Sequence, residues 1–92
     1  MNICEMAPRP LPEAGLSAET ACGEDLYRLG LAYSEGIRVE RDLVAAHKWF
    51  NLAAVRGSTE AKLLRAEIAE MLDPVGIKSA LQAARDWLRC AA

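Results

Sequence analysis

A continuous stretch from Leu29 to Gly57 constrains the fold of this chain more than any other feature. It reads LGLAYSEGIRVERDLVAAHKWFNLAAVRG, with glycines at positions 30, 36 and 57. Apolar residues recur in it three and four positions apart, which is the spacing of one helical face. Glycine commonly ends a helix because it adopts the left-handed conformation without strain. The stretch therefore predicts two short helices that are joined by a tight loop.

The same stretch resembles the Sel1-like repeat, whose pattern is L-G-x-x-Y-x-x-G-x-G-V-x-x-D-x-x-K-A-x-x-W/Y-x-x-x-A-A-x-x-G. Two positions depart from this pattern, because Arg38 replaces the second glycine and Ala45 replaces the usual lysine. The resemblance implies a helical hairpin of the TPR-like superfamily, which stacks into a solenoid and binds other proteins. The residues that match the pattern are Leu29, Gly30, Tyr33, Gly36, Val39, Asp42, Ala46, Trp49, Ala53, Ala54 and Gly57.

The first helix is predicted to begin between Ser17 and Glu24 and to end at Gly36. Glycine inside a helix costs about 1 kcal/mol relative to alanine. We therefore interpret Gly30 as the point where the second helix approaches closely, with Trp49 as the expected occupant of the gap. The residues that share one face of the first helix are Leu26, Leu29, Gly30 and Tyr33.

Asp42 is suited to cap the second helix, because its carboxylate can accept hydrogen bonds from free backbone N–H groups. This helix is predicted from Leu43 to Arg56, with Gly57 as its stop. Small residues on its apolar stripe allow close packing around a few large anchors. The stripe consists of Ala46, Trp49, Phe50 and Ala53.

Two further helices are expected after Gly57. The third is predicted from Thr59 to Leu72 with Ser58 as its cap. The pair Asp73-Pro74 starts the fourth helix, because aspartate can cap and proline at the first helical position loses no hydrogen bond. The apolar positions are Ala61, Leu64, Ile68, Met71 and Leu72 in the third helix, and Ile77, Ala80, Leu81, Ala84 and Leu88 in the fourth, which extends to Arg89.

The four helices form two similar halves, because Ala45–Phe50 aligns with Ala83–Leu88 at an offset of 38 residues. A period in the thirties is typical of helical hairpin arrays. The second half lacks L-G-x-x-Y and the glycine loop, as a terminal capping repeat would. The predicted fold is an all-α solenoid of αα-hairpins, with one full repeat and a degenerate C-terminal capping hairpin.

The repeat domain is predicted to span residues 21–92, after a flexible N-terminal tail of residues 1–20. The tail is rich in proline and poor in large apolar residues, so it cannot offset the entropy lost on ordering. A proline-rich ligand is the alternative, since the stretch Pro8–Pro12 favours polyproline II. Its prolines are two residues apart, however, which does not match PxxP.

Composition excludes several classes of partner. The net charge is -2, and the 11 basic and 13 acidic residues are interspersed. Such a chain has no basic patch that would attract nucleic acid. No segment approaches the ~20 apolar residues of a membrane span. We therefore expect neither nucleic acid nor a membrane as partner.

Three cysteines are present, at positions 4, 22 and 90. Their odd number and wide spacing support neither a disulfide framework nor a zinc site. The N-terminus lacks the basic start and apolar run of a secretory signal. The sequence therefore predicts reduced thiols on Cys4, Cys22 and Cys90, and a cytoplasmic protein.

No catalytic, cofactor-binding or metal-binding constellation is predicted. His47 has neither a carboxylate nor a thiol among its helical neighbours, and we expect it at the surface or an edge. Trp49 and Trp87 lie on apolar stripes, which favours the core over a ligand platform. The third helix alternates charges of both signs, which is typical of a solvated face. Its charged residues and the following cap are Glu60, Lys62, Arg65, Glu67, Glu70 and Asp73.

The resemblance favours a non-catalytic protein-interaction module whose partner is a protein or peptide of unknown identity. The concave side, lined by the first helix of each hairpin, is the expected binding surface. A homodimer is the structural alternative, in which Tyr27 and Leu31 on the outer face of the first helix would be covered by a second copy. A small-molecule hydrolase, as suggested for exported cysteine-rich relatives, is the third alternative, and the chain lacks the cysteine pairs of those relatives.

Overall fold

The computed structural model describes residues 16–89 and shows four helices. They are α1 (Gly23–Glu35), α2 (Leu43–Val55), α3 (Thr59–Met71) and α4 (Pro74–Arg89). No segment within residues 16–89 forms a β-strand, and the predicted all-α fold is confirmed. Residues 1–15 of the predicted tail, and residues 90–92, lie outside the described part of the chain.

Side-chain caps begin three of the helices at the predicted residues. Asp42 accepts a hydrogen bond from the backbone N–H of the third residue of α2 at 3.1 Å. Ser58 accepts one from the third residue of α3 at 3.2 Å, and Asp73 one from the third residue of α4 at 2.7 Å. Pro74 is the first residue of α4, where its missing N–H leaves no hydrogen bond unmade.

Two glycines end the first two helices in the left-handed conformation, as predicted. Gly36 has φ +74° and donates its N–H to the carbonyl of Ala32 at 2.8 Å. Gly57 has φ +99°, and its N–H and that of Ser58 both donate to carbonyls of the last turn of α2. The hydrogen bonds from Gly57 and Ser58 together form a Schellman motif. Arg38, in the loop between α1 and α2, also has a positive φ of 67°.

Helix α2 lies at the centre of the molecule and packs against α1, α3 and α4. Because three neighbours surround it, most of its circumference is buried. The largest fully buried side chains are Trp49, Phe50, Leu26 and Leu52. The predicted face of α1 and the predicted stripe of α2 are both buried against this core.

The close approach at Gly30 is present, but Phe50 and not Trp49 occupies the gap. A Cβ atom added to Gly30 would lie 2.4 Å from ring carbons of Phe50. Trp49 turns instead toward α4, where its ring meets the ring of Trp87 edge-on, with centroids 5.3 Å apart. Trp49 is fully buried and Trp87 is half-buried, so both tryptophans contribute to the core.

The second helix pair is more open than the first. Helices α3 and α4 each pack against α2, and make few contacts with each other. Ile68 is buried, whereas Met71, predicted on the same apolar side, is 56% exposed. Met71 lies in the last turn of α3, and with few contacts between α3 and α4 its side chain remains in solvent. Leu88, in the last turn of α4 and also predicted as apolar lining, is 39% exposed.

The face of α4 that points away from α2 is mostly polar, with Val75 as its large exposed apolar residue. Ala80 and Ala84 on its inner face are buried. Among the exposed residues of the helix are Lys78, Ser79, Gln82, Arg85, Asp86 and Arg89. A polar outer face is typical of a capping helix in a repeat array, because no further hairpin packs on it.

The contact between Gly30 and Phe50 can be tested by Gly30→Ala. The added methyl group would meet a buried ring that has no room to move, and overpacking costs about 1–3 kcal/mol. The higher helix propensity of alanine offsets about 1 kcal/mol of this cost. Because the added atom would overlap the ring so closely, we expect the upper part of this range of overpacking cost, and hence a net loss of about 1–2 kcal/mol in the free energy of urea unfolding. In a Phe50→Leu background the cost of Gly30→Ala should shrink. A Gly30→Ala variant as stable as the parent would contradict the contact.

The strained loop residue gives a second test. Arg38 is exposed, and a positive φ costs a non-glycine residue about 1–2 kcal/mol. Arg38→Gly should relieve this strain, while glycine lowers stability by about 0.4–1 kcal/mol through the unfolded chain. We expect an unchanged or raised melting temperature. The matched control is Arg41→Gly, which should lower it, because Arg41 donates a hydrogen bond to the carbonyl of Ser34 at 3.0 Å. A clear loss in Arg38→Gly would show that the loop depends on the arginine.

Candidate partner-binding groove

A groove of ≈ 680 Å³ lies where the beginnings of α1 and α3 come together. It joins the two helices that were predicted to line the concave side of the stack. The loop between α2 and α3 closes it at one end. The residues that line it are Cys22, Gly23, Glu24, Tyr27, Arg56, Gly57, Ser58 and Glu60.

The α1 wall of the groove begins with a capping box that includes a cysteine. The carboxylate of Asp25 accepts hydrogen bonds from the backbone N–H of Cys22 at 3.3 Å and from its Sγ at 3.2 Å. Immediately after it, Gly23 packs on the end of α2. A Cβ atom at Gly23 would lie 2.9 Å from the carbonyl oxygen of Arg56. Only a glycine therefore allows α1 to start this close to α2.

Arg56 fixes the residues that precede α1. Its guanidinium donates one hydrogen bond to the carbonyl of Ala21 at 2.6 Å and another to the carbonyl of Ala18. Ala18 and Ala21 are buried, and Leu16 packs against the core. Within the described residues, packing against the helices thus includes Leu16, which precedes the predicted domain start at residue 21. Nothing in the local sequence around Arg56 indicates contacts with a segment so far away along the chain.

Tyr27 provides the aromatic surface of the groove. Its ring lies 6.0 Å from that of Phe50, at an interplanar angle of 44°. Tyr27 is half-buried and packs against the core, as does Leu31. The outer face of α1 is therefore less exposed than the sequence predicted, because the bulky residues of α2 extend under it.

Two exposed carboxylates flank the tyrosine. Glu24 is on α1 and forms a 2.8 Å ion pair with Arg28, and Glu60 is on α3. With 69% of both side chains of the ion pair exposed, the pair contributes little to stability. The groove thus combines a partly exposed aromatic ring with exposed charged rims, a pattern common in protein interfaces.

His47 is buried, and the prediction that it lies at the surface is wrong. It is 4% exposed, and its Nδ1 has no hydrogen-bond partner. A single apolar stripe was predicted for α2, whereas its three neighbouring helices bury most of its circumference. Burial lowers the pKa of His47 below its ordinary value, and the positive charge of Arg65 lowers it further.

The repeat-signature residues lie away from the groove, with the exception of Gly57. Leu29, Tyr33, Ala46, Trp49, Ala53 and Ala54 are buried in the core, and Gly30, Gly36, Asp42 and Gly57 shape the helix contact and the helix ends. The carboxylates at positions 60, 67, 70 and 73 are exposed, as predicted. Within residues 16–89, no three His, Cys, Asp or Glu side chains cluster in a way that could hold a metal ion.

The Sel1 repeat model matches residues 23–58 and again residues 69–92, which together are more than half of the chain. The chain belongs to the Sel1 repeat family. The first match spans α1, α2 and the cap of α3, and the second includes all of α4. Among curated proteins and among solved structures, none matches this Sel1 repeat chain significantly. Sel1 repeats generally mediate protein–protein interactions and are typically non-catalytic.

No helix in the described part of this Sel1 repeat chain is both long and apolar enough to cross a bilayer.

The anchoring role of Arg56 can be tested by Arg56→Gln. The change leaves the backbone carbonyls of Ala18 and Ala21 without the guanidinium that donates to them. A buried acceptor without a hydrogen bond costs about 1–3 kcal/mol. We expect that loss in urea unfolding, together with faster amide exchange at Ala21. Arg56→Lys should not restore stability, because a lysine does not reproduce the two-pronged geometry of a guanidinium. The control Arg28→Gln removes an exposed ion pair and should cost much less. Equal effects of Arg28→Gln and Arg56→Gln would contradict this role.

Proposed function

We propose that this Sel1 repeat chain is a non-catalytic protein-binding module, and that its groove between α1 and α3 receives a segment of a partner protein. The observation that carries this proposal is the position of the groove. It brings together the first helix of each pair, which is the side of a helical stack that solenoid proteins use for binding. The family's general role in protein–protein interaction supports the same conclusion.

The chemistry of the groove suits a peptide segment. Tyrosine is enriched at binding interfaces because its rigid ring offers a large contact area with little loss of side-chain entropy. Tyr27 has one side fixed against Phe50, so a partner side chain would meet a ring that is already positioned. Glu24 and Glu60 on the rims would then contribute to orientation and to the rate of association.

A homodimer is the second candidate, and exposed apolar side chains favour it. They include Leu63 of α3 and Val75 of α4, at 68% and 75% exposed. The surface first expected to pair, around Tyr27 and Leu31, is half-buried within the chain itself. A dimer would therefore use α3 and α4 in preference to α1.

The hydrolase alternative finds no support in residues 16–89. His47 is buried without a carboxylate or thiol beside it, and Cys22 is used at the helix cap. Cys22 is nevertheless a free, exposed thiol. Such a thiol is compatible with a reducing compartment, and we propose the cytoplasm as the site of action.

Site-directed photocrosslinking in the source cell tests the binding surface. The photoreactive residue p-benzoylphenylalanine would replace Glu24 or Glu60 in the groove, and Ser79 or Gln82 on the polar face of α4 as controls. We expect the groove positions to capture one partner protein, and the α4 positions, which lie beside Val75, to capture nothing other than a second copy of the chain. Capture of the same proteins at all four positions, or of none at the groove, would contradict the proposal. A product of two joined copies of the 10.0 kDa chain would favour the homodimer.

A pair of charge reversals provides a matched control. Glu60→Arg changes the groove, whereas Glu67→Arg changes an exposed carboxylate of the same helix outside it. A rim charge is worth about 1 kcal/mol, or roughly a fivefold change in affinity. Only Glu60→Arg should weaken capture of the partner, with the melting temperatures of both variants close to that of the parent.

A further inference from the structure

The single histidine of the chain lies on α2, one helical turn before the residue that is hydrogen-bonded to α3. His47 is buried in α2, and its Nδ1 is enclosed without a hydrogen-bond partner. On the facing helix, Arg65 of α3 donates a hydrogen bond from its guanidinium to the side-chain oxygen of Asn51 at 2.7 Å. Asn51 is one helical turn after His47. The hydrogen bond that ties α3 to α2 is therefore made by a cation that sits near a buried imidazole.

Among the described residues, no carboxylate forms an ion pair with the imidazole. Burial lowers the pKa of His47, and the positive charge of Arg65 lowers it further. Helix α2 itself carries no carboxylate. The charged side chains on the helices packed around it are exposed, apart from the cap residue Asp25 and the half-buried Arg65. The exposed charged residues are Glu24, Arg28 and Glu35 of α1, Glu60, Lys62, Glu67 and Glu70 of α3, and Lys78, Arg85, Asp86 and Arg89 of α4.

We infer that His47 makes the junction between α2 and α3 an acid-sensitive latch, which is closed while the imidazole is neutral and opens when it takes up a proton. An imidazolium at this position would be a buried cation beside a second cation, without a carboxylate to pair with. Bringing the imidazole to water relieves this cost, and movement of α3 away from α2 would do so. Helix α3 can move in this way because it makes few contacts with α4 and with α1.

The direction of the pH dependence follows from proton linkage. Above the ordinary pKa of 6.5, His47 is neutral in both the folded and the unfolded chain, and stability is complete. As the pH falls below 6.5, the unfolded or open chain binds the proton before the closed chain does, since the pKa of the closed chain is lower. Stability is therefore lost between the ordinary pKa and the lowered one. One proton changes the open-to-closed ratio by at most about tenfold per pH unit.

Opening of the latch would also alter the groove, because Ser58 and Glu60 belong to the beginning of α3. This consequence for partner binding rests on the proposed function. The latch itself does not, since the groove plays no part in the protonation of His47.

The ring resonances of His47 test the latch directly, because the chain has no other histidine to confuse the assignment. We expect an NMR titration of the full chain to give a midpoint below 6.5. Over the same pH range, the protection factors of amide hydrogen exchange, which correct for the intrinsic slowing of exchange in acid, should fall in α3 before they fall in α1 and the first half of α2. A midpoint at or above 6.5, or protection factors in α3 that do not change between pH 7 and pH 5, would overturn the inference.

Two variants and a control separate the latch from general acid destabilisation. His47→Leu cannot take up a proton, so the loss of stability between pH 7 and pH 5 should disappear. Arg65→Glu places a carboxylate beside the imidazole and should raise the histidine midpoint above that of the parent. Arg85→Gln removes an exposed cation from α4 and should leave the pH dependence unchanged. An undiminished acid response in folded His47→Leu would overturn the latch. If His47→Leu does not fold, the histidine midpoints of the parent and of Arg65→Glu test the latch instead, and a midpoint in Arg65→Glu that is not above that of the parent would overturn it.

Discussion

The close contact between α1 and α2 holds the rest of the structure in place. Two glycines seven residues apart make it possible, because Gly23 lies against the backbone of Arg56 and Gly30 lies against the ring of Phe50. Residues seven positions apart are on the same helical face, so the two gaps form one continuous seam. With α1 so near, α2 becomes a buried central helix, and α3 and α4 can pack on its remaining sides. The weak contact between α3 and α4 is acceptable because both find their core in α2.

The ends of the helices were predictable from sequence, since each depends on one residue and the backbone beside it. Asp42, Ser58 and Asp73 need only a short polar side chain at the right place, and Gly36 needs only its freedom to adopt a positive φ. The positive φ of Arg38 belongs to the same group, since the family pattern has glycine there. These helix ends depend only on interactions between residues that are close along the chain, so the sequence is sufficient to predict them.

The packing between helices was predicted less well, because it depends on which helices meet. Trp49 and Phe50 are adjacent on the same stripe, and the sequence cannot decide which of them faces Gly30 and which faces α4. The burial of His47 follows from the three neighbours of α2, and these are known only once the helices are assembled. The groove depends on Arg56 and on contacts with Ala18, which lies 38 residues away along the chain. The side of the stack that holds the candidate groove was therefore predictable from sequence. The residues that line the groove were not.

The central position of α2 connects the groove with the latch. A partner held between α1 and α3 would bind the closed chain and not the open one, so its binding free energy would add to the stability of the junction. Linkage is reciprocal, and a proton on His47 that favours the open chain must weaken binding by the same factor by which the partner weakens protonation. The two sites need not touch, since α3 carries Glu60 at its beginning and Arg65 one to two turns later. A helix with few other contacts is well suited to this coupling, because little besides α2 and the partner determines its position.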